Sequence, residues 1–313
     1  MAKNVDWTGW HVQLAYNYTG KELHGQWFSL SQKINGVRAT YFADEMVSRS
    51  GKNIRGLDEM KGELTHLINW VKQTFGFYPV FDGELRIADI FAKDIGDDNA
   101  VFKASVGIVN SINDLSEKYK LTFTIFDVLS SPSFATEAPW LDYKKRREQL
   151  VAIDCWVRQH SLNHVKVVPL LYEGTDVSQI DKQLEFAEAN NWEGIMINLN
   201  SDYIYRRTPT LLKVKKFKTI DLKIVGYTRG TGKYEHTLGA ILCEFDGNIV
   251  GIGTGFDDIT RDLLWAKGDH LEGKICEVKY KDITCDKHTG LRSLQFPVFQ
   301  GIKTDKTEAD RWL

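Results

Sequence analysis

The chain has 313 residues, in which 40 lysines and arginines stand against 42 aspartates and glutamates, for a formal net charge of −2. Hydrophobic residues make up 42% and charged residues 26%, a balance that is typical of soluble globular proteins and excludes fibrous and disordered classes. The near-neutral total also excludes a uniformly basic chain. A nucleic-acid interface would therefore have to be a local basic face.

The sequence contains no apolar run of the length that spans a bilayer, and its first residues lack the apolar core of a signal peptide. The four cysteines form no C-x-x-C pair, which argues against a disulfide framework and a four-cysteine zinc site. We therefore expect a cytoplasmic protein that does not contact a membrane.

Strand and helix patterns alternate over the first two thirds of the chain, after an aromatic-rich extension over residues 1–28. Period-two alternation or short apolar runs predict strands, and apolar residues at helical spacing predict helices. The predicted strands are 28–41, 78–87, 121–129, 165–171, 192–198 and 211–217, and the predicted helices are 59–75, 102–119, 143–160 and 180–190. This interleaving predicts one α+β or α/β unit over residues 1–218.

The pattern changes near residue 218, where short strand-like runs separated by glycine turns replace the alternation of strands and helices. The predicted strands are 221–227, 238–245, 248–253, 274–280 and 292–299, with one helix at 258–267. Five short strands with a helix between the third and the fourth are typical of a small Greek-key barrel of the OB type. We predict two domains, 1–218 and 219–313.

Three lysines are candidates for chemistry. Lys33 is followed by a glycine turn and Arg38, and a lysine becomes a nucleophile only when burial or nearby cations favour its neutral form. Lys213 and Lys215 alternate with apolar residues, so both point to one side of a half-buried strand and repel each other unless an anion lies between them.

Glycine-rich segments offer no phosphate loop. The segment 226–234 has tyrosine where a Walker loop needs serine or threonine, and the segment 251–256 lacks its last glycine. If a nucleotide binds, other residues must hold it. The segment 81–85 places Asp82 and Glu84 two residues apart and hence on one face of a strand.

Seven short segments occur in the order of the motifs of covalent nucleotidyltransferases. They are Lys33-x-Asn35-Gly36-x-Arg38, Ser48-Arg49-x-Gly51, Phe81-Asp82-Gly83-Glu84-Leu85, Phe126-Asp127, Glu193-Gly194-Ile195-Met196, Leu212-Lys213-Val214-Lys215 and Lys303-Thr304-Asp305-Lys306. Over residues 28–306 the chain resembles the small ATP-dependent DNA ligases of bacteriophages and large viruses. The resemblance implies an α+β nucleotidyltransferase (adenylation) domain of antiparallel sheets and helices, followed by an OB-fold β-barrel.

The resemblance also implies a reaction, the sealing of 3′-hydroxyl/5′-phosphate nicks in duplex DNA with ATP and Mg²⁺. Lys33 would attack the α-phosphate of ATP, expel pyrophosphate and hold AMP covalently before a DNA-adenylate forms. Lys213 and Lys215 would bind the α-phosphate and help to keep Lys33 unprotonated. Glu193 would bind Mg²⁺, which prefers oxygen ligands.

Further roles follow from the same resemblance. Arg38 and Glu84 would hold the ribose hydroxyls, while Phe126 and Met196 would lie on opposite faces of the adenine. The expected phosphate contacts are Arg49 to the 5′-phosphate of the nick, and Lys303, Asp305 and Lys306 to the departing pyrophosphate. The family usually has arginine where this chain has Lys303, so a bidentate phosphate contact is lost there.

Asn35 is the larger departure from the pattern, because the family usually has aspartate there. An amide accepts a hydrogen bond but supplies no negative charge to a metal or to an incoming 3′-hydroxyl. This affects sealing more than lysine adenylation, and from the sequence we expect Asn35→Asp to preserve or raise sealing.

A basic stretch over residues 206–218 is expected to line the DNA backbone. Its candidates beyond the two ATP-binding lysines are Arg206, Arg207, Lys216 and Lys218. We expect a monomer that acts in replication, repair or recombination, in bacterial cytoplasm or in the cytoplasm of a virus-infected host. The alternatives are an RNA ligase, a capping guanylyltransferase of the same superfamily, or a sealing-impaired nucleic-acid-binding module.

Overall fold

The structure is a computed structural model that describes residues 12–23, 25–215, 218–280, 282–286 and 289–310. Residues 1–11 and His24 of the predicted extension, and Lys216, fall outside these ranges. The chain divides into two compact units, and the boundary along the chain lies between residues 215 and 216. None of the helices in the described ranges combines the length and apolar character of a bilayer span.

The first unit mixes strands and helices, which confirms the predicted α+β class. Its strands are β1 (Leu14–Asn17), β2 (Phe28–Gln32), β3 (Val37–Phe42), β4 (Glu45–Ser48), β5 (Pro79–Ile87), β6 (Leu121–Ser130), β7 (Val165–Val167), β8 (Leu170–Gly174), β9 (Gly194–Leu199) and β10 (Arg207–Lys215). Its helices are α1 (Asp58–Phe75), α2 (Asp89–Ala92), α3 (Asp98–Asn110), α4 (Ser131–Thr136), α5 (Tyr143–Gln159) and α6 (Ser178–Ala189).

These strands form two sheets, ordered β1-β10-β9-β2-β8 and β4-β3-β5-β6-β7. Neighbouring strands are antiparallel except for the pairs β1–β10 and β6–β7. Helices α1, α3 and α5 pack on the second sheet around a core that includes Leu64, Phe81, Phe123 and Ile153. Helix α6 covers the first sheet. Interior strands of both sheets carry the side chains of the site described below: β2, β9 and β10 in the first sheet, and β3, β5 and β6 in the second.

A buried ion pair joins strand β6 to helix α5. The Arg146 side chain is only 1% exposed, and its Nε and Nη2 donate to the two carboxylate oxygens of Asp127 at 2.7 and 3.0 Å. Its Nη1 donates to the carbonyls of Leu141 and Ser201. Burial raises the pKa of Asp127, and Arg146 opposes that rise. The pair is therefore fully satisfied by hydrogen bonds, as a buried charge requires.

The second unit is built around one long strand. Its elements are β11 (Lys218–Arg229), β12 (Leu238–Phe245), β13 (Asn248–Ile252), α7 (Asp258–Lys267), β14 (Ile275–Tyr280), β15 (Asp282–Cys285), β16 (Arg292–Gln295) and β17 (Val298–Lys303). Strand β11 pairs with β14 through its first half and with β12 through its second, in the order β13-β12-β11-β14-β17. Five strands around one core, with α7 between the third and the fourth, confirm the predicted OB fold.

Three predicted strands are wrong. The run 28–41 is divided by the turn at 33–36 into β2 and β3, which belong to different sheets. A proline divides each of the other two. The run 292–299 is two strands, since Phe296 takes a left-handed φ of +52° and Pro297 has no N–H to donate. Strand β16 pairs with β15 as a separate hairpin, whereas β17 pairs with β14. The run 165–171 likewise becomes β7 and β8, in different sheets, on either side of Pro169.

The helix predicted over 102–119 is also wrong in its second half. Helix α3 begins at Asp98 and ends at Asn110, and Ser111 takes an extended conformation. The Ser111 hydroxyl donates to the Asp114 carbonyl at 2.6 Å. Such local side-chain hydrogen bonds compete with the helical ones, so the apolar spacing beyond Asn110 does not continue the helix.

Replacing Arg146 by alanine should leave the Asp127 carboxylate buried without its partner. We expect the free energy of unfolding to fall by about 3–5 kcal/mol, measured by urea denaturation of the full chain. The matched control is Arg158→Ala on the same helix, where an arginine side chain that is 72% exposed pairs with Asp154. That change should cost less than about 1 kcal/mol, and equal losses in the two variants would contradict the assignment.

Candidate active site

The first unit contains a cavity of about 250 Å³ that is rich in positive charge. Six cationic and two acidic side chains line it. Nine of the residues predicted from the sequence are among its lining: Lys33, Arg38, Arg49, Glu84, Phe126, Met196, Arg207, Lys213 and Lys215. Residues more than 180 positions apart in the chain thus converge on one site, as the predicted chemistry requires.

Strand register places the two principal lysines. Lys33 directly follows β2, and its backbone N–H donates to the Gly194 carbonyl at 3.0 Å. In the β9–β10 pair, Lys215 lies opposite Gly194, and Lys213 lies opposite Met196. Gly194, at the start of β9, is therefore flanked by Lys33 on one side and Lys215 on the other.

The carboxylate of Glu193 lies between these two lysines. Its Oε1 is 2.6 Å from the Lys215 Nζ, and its Oε2 accepts a hydrogen bond from the Lys33 Nζ. All three side chains are about one fifth exposed or less. Burial alone would raise the pKa of Glu193, but the lysines outweigh it and hold that pKa below its ordinary value. One carboxylate thus orders both candidate catalytic amines.

Two motif glycines are required by close backbone approaches. Gly194 has a φ of +149°, and a Cβ there would lie 2.1 Å from the Val214 carbonyl oxygen. A Cβ on Gly36 would lie 2.4 Å from the Leu85 carbonyl oxygen. A larger residue at position 194 would push β9 away from β10, which carries two of the lysines, and one at position 36 would push the turn after Lys33 away from β5.

Lys213 shows what the cavity is suited to bind. Its pKa is lowered, first by burial and then by the positive charges of Lys215, Arg207 and Lys33. Several cations at close range, one of them partly desolvated, are stabilised by a polyanion such as a nucleotide phosphate.

Arg38 is fixed by a clamp of three residues. Its Nε and Nη2 donate to the two oxygens of buried Asp82 at 2.9 and 2.5 Å, and its Nη1 donates to the Gln13 carbonyl at 2.7 Å. The Tyr203 hydroxyl donates to Asp82 at 2.5 Å. The guanidinium carbon lies 4.9 Å from the centre of the Phe126 ring, a cation–π contact that also holds this ring in place.

The sequence analysis missed this clamp. Asp82 was noted beside Glu84 but given no partner, and Gln13 and Tyr203 carry no local signal, because their contacts span 190 positions of the chain. The structure shows that Asp82 serves Arg38, whereas Glu84 faces the cavity. Burial raises the pKa of Glu84 to about 7, against the lowering effects of Lys33 and Arg38.

The side chains present fit ATP and Mg²⁺. Within the described ranges, no three His, Cys, Asp or Glu side chains group in a way that would hold a metal by themselves. Mg²⁺ normally uses one or two protein carboxylates together with water and substrate phosphates, so Glu193 beside a phosphate-binding cluster is a suitable donor set.

Other predicted residues lie elsewhere. Among the described residues, the lining of the cavity leaves out Glu193, whose carboxylate binds two of the lining lysines, and Asn35, whose side chain binds Asp98. Arg206 lines a neighbouring open cleft of about 660 Å³. That cleft has no convergent cations, so it is the weaker candidate site. Four predicted residues belong to the second unit, and their relation to the cavity stays a prediction: Lys218, Lys303, Asp305 and Lys306.

Fold and site together define a nucleotidyltransferase domain followed by an OB-fold domain. The family model "ATP dependent DNA ligase domain" matches residues 12–215, and the model "DNA ligase OB-like domain" matches residues 229–303. The chain therefore belongs to the ATP-dependent DNA ligase family, which confirms the resemblance inferred from its motifs.

Individual relatives agree with this assignment. A DNA ligase of Haemophilus influenzae is 22% identical over 278 residues, which cover 87% of each chain. The solved structure Pmar-Lig_PreS3 is 25% identical with a TM-score of 0.67, over 94% of this chain and 67% of that one. The ATP-dependent DNA ligase of bacteriophage T7, solved with ATP, is 15% identical with a TM-score of 0.56. The match covers 94% of this chain and 98% of that one, and it supports the fold alone.

The raised pKa of Glu84 predicts a pH-dependent stability. Because its folded-state pKa of about 7 exceeds the ordinary 4.5, the folded protein binds this proton more tightly, and the stability of the wild type falls as pH rises from 4.5 through 7. Glu84→Gln removes that loss, so thermal unfolding should show a growing advantage of the variant from pH 5 to pH 8. Glu148→Gln, at an exposed position of α5, is the control and should show the same offset at both pH values. A pH-independent difference for Glu84→Gln would contradict the assignment.

Proposed function

We propose that this protein seals nicks bearing a 3′-hydroxyl and a 5′-phosphate in duplex DNA, acting as a monomer with residues 1–218 as the adenylation domain and 219–313 as the OB domain. The observation that carries the proposal is that Lys33 and Lys215, which line a cationic cavity, converge on the carboxylate of Glu193. A cavity lined by three lysines, two of which bind one carboxylate, suits phosphoryl transfer to an amine.

In the first step the Lys33 amine attacks the α-phosphorus of ATP. A phosphorus–nitrogen bond forms, the bond to pyrophosphate breaks, and the amine loses a proton, leaving AMP on Lys33. Lys213 and Lys215 hold the α-phosphate and balance the charge that develops on it. Glu193 is the residue that would hold Mg²⁺, which supplies further neutralisation of the phosphates.

The rest of the cavity would bind the nucleoside. Phe126, held by Arg38, is the stacking surface for adenine, and Met196 from β9 is its apolar counterpart. Glu84 and Arg38 are the ribose partners. The clamp on Arg38 means that this recognition surface is preformed, which limits the entropy lost when ATP binds.

DNA would bind through residues at the rim of the cavity and in the second unit. Arg49, exposed in the turn after β4, is the proposed partner of the 5′-phosphate, with Arg206, Lys216 and Lys218 along the backbone. Arg207 donates to the Ala15 carbonyl and so also anchors β1. Lys303, Asp305 and Lys306 would orient pyrophosphate, and both lysines are held by ion pairs, to Glu277 and Asp221 respectively.

Lys33→Ala should abolish the covalent AMP adduct that forms with labelled ATP, and with it the sealing of nicked DNA. Lys182→Ala, which removes an exposed lysine of α6, should leave both at the level of the wild type. An undiminished adduct in Lys33→Ala would place the nucleophile elsewhere. An adduct formed with GTP instead of ATP, or sealing of nicked RNA but not DNA, would favour the related RNA ligases or capping enzymes.

Binding to nicked DNA should weaken steeply as salt rises, because each neutralised phosphate releases counterions, with a slope of about −0.9 per contact in log affinity against log salt. Fluorescence anisotropy of the full chain without ATP and Mg²⁺ measures this slope. Arg49→Ala should reduce its magnitude by about 1, whereas Arg158→Ala on α5 should not change it. A flat salt dependence would contradict the proposed basic interface.

A further inference from the structure

Asn35 belongs to a closed network of three polar side chains beside the nucleophile's turn. Its Nδ2 donates to Asp98 Oδ2 at 2.6 Å, and Arg86 Nη1 donates to Asp98 Oδ1 at 2.7 Å. The same Arg86 nitrogen donates to the Asn35 backbone carbonyl at 3.0 Å. The three residues come from the β2–β3 turn, β5 and the start of α3.

This network is coupled to the cavity through strand β5. Glu84 and Arg86 are two positions apart, so both point to one face of the strand, Glu84 into the cavity and Arg86 toward Asp98. The Arg86 and Asp98 side chains are 20% and 24% exposed. A substrate that reaches the turn after Lys33 would therefore meet the Arg86–Asp98 ion pair, which is partly buried.

Asp98 is not needed to cap its helix. The N-cap of α3 is Asp97, whose carboxylate accepts the Ala100 N–H at 2.8 Å. Asp98 follows it in the first turn, where the helix dipole favours a negative charge. Its two oxygens are instead directed at Arg86 and Asn35, which are remote in sequence.

The network requires an amide at position 35. An aspartate there would bring a carboxylate oxygen to the place of Nδ2, 2.6 Å from Asp98 Oδ2, with Arg86 as the one nearby cation of the network. Two carboxylates at that distance repel strongly. With Nδ2 bound to Asp98, the Asn35 Oδ1 has no hydrogen-bond donor among the described residues and remains able to accept one.

We propose that Asp98 is a positioning residue for nick sealing: it orients the Asn35 amide so that Oδ1 accepts the hydrogen bond of the 3′-hydroxyl, and it carries the negative charge that an aspartate at position 35 would have carried. This inference rests on the proposed function. In the step concerned, the 3′-oxygen bonds to the 5′-phosphorus of the DNA-adenylate, AMP leaves, and the hydroxyl proton passes to solvent, because an amide oxygen orients a hydroxyl without acting as its base. It also reverses the expectation that Asn35→Asp is harmless.

The test compares three variants of the full chain: Asp98→Asn, Asn35→Asp and the exchange of both. Two steps are measured separately, the AMP adduct formed with labelled ATP, and single-turnover sealing of a pre-adenylated nick without ATP. Each single variant should seal the pre-adenylated nick about tenfold or more slowly, while its adduct formation changes by less than about threefold. The exchange restores one donor and one acceptor, and should recover most of the sealing rate.

Asp94→Asn, at an exposed position shortly before α3, is the matched control and should behave as the wild type in both steps. Thermal unfolding of every variant separates positioning from folding. Three outcomes would each overturn the inference. Asp98→Asn could seal normally, the exchange variant could seal no better than the poorer single variant, or a variant could lose adduct formation, sealing and unfolding temperature in parallel. The wild type is assayed first. If it forms no AMP adduct or does not seal nicked DNA, the proposed function itself is overturned, and this failure is distinguished from a failure of the inference.

Discussion

The structure of the site depends on the close approach of three strands around Gly194. Because this residue has no side chain and a φ of +149°, β10 can approach it closely on one side while the end of β2 bonds to it on the other, and Glu193 reaches a lysine from each. The Lys33 N–H bond to the Gly194 carbonyl fixes the position of the proposed nucleophile along the sheet. The geometry of the proposed site is thus set by sheet register, which is more rigid than a loop.

Two buried carboxylates stabilise the walls of the cavity, each through one arginine. Asp82 holds Arg38, and Asp127 holds Arg146, with bidentate hydrogen bonds in both pairs. Bidentate arginine–carboxylate pairs fix orientation as well as distance. Strand β5 contributes Asp82 to this wall, Glu84 to the cavity and Arg86 to the Asn35 network, so that one strand connects the cavity with the network for which we propose a role in sealing.

Local motifs allowed the principal residues of the site to be predicted, whereas their partners could not be. Lys33, Lys213 and Lys215 stand in short patterns with a chemical meaning, and the structure brings them together. Tyr203 and Asp98 act through contacts between elements that are distant in sequence, and no spacing encodes those contacts. The strand errors at Pro169 and Pro297 have a simpler cause, because apolar alternation continued through residues whose backbone cannot extend a ladder.

Glu193 binds both Lys33 and Lys215, and we propose that Lys33 is the amine to which AMP becomes attached. Peptide mapping by mass spectrometry, after incubation of the full chain with ATP and Mg²⁺, tests it most directly. We expect one AMP per chain, on the peptide that contains Lys33. An AMP located on any other peptide, or a chain that stays unmodified, would contradict it.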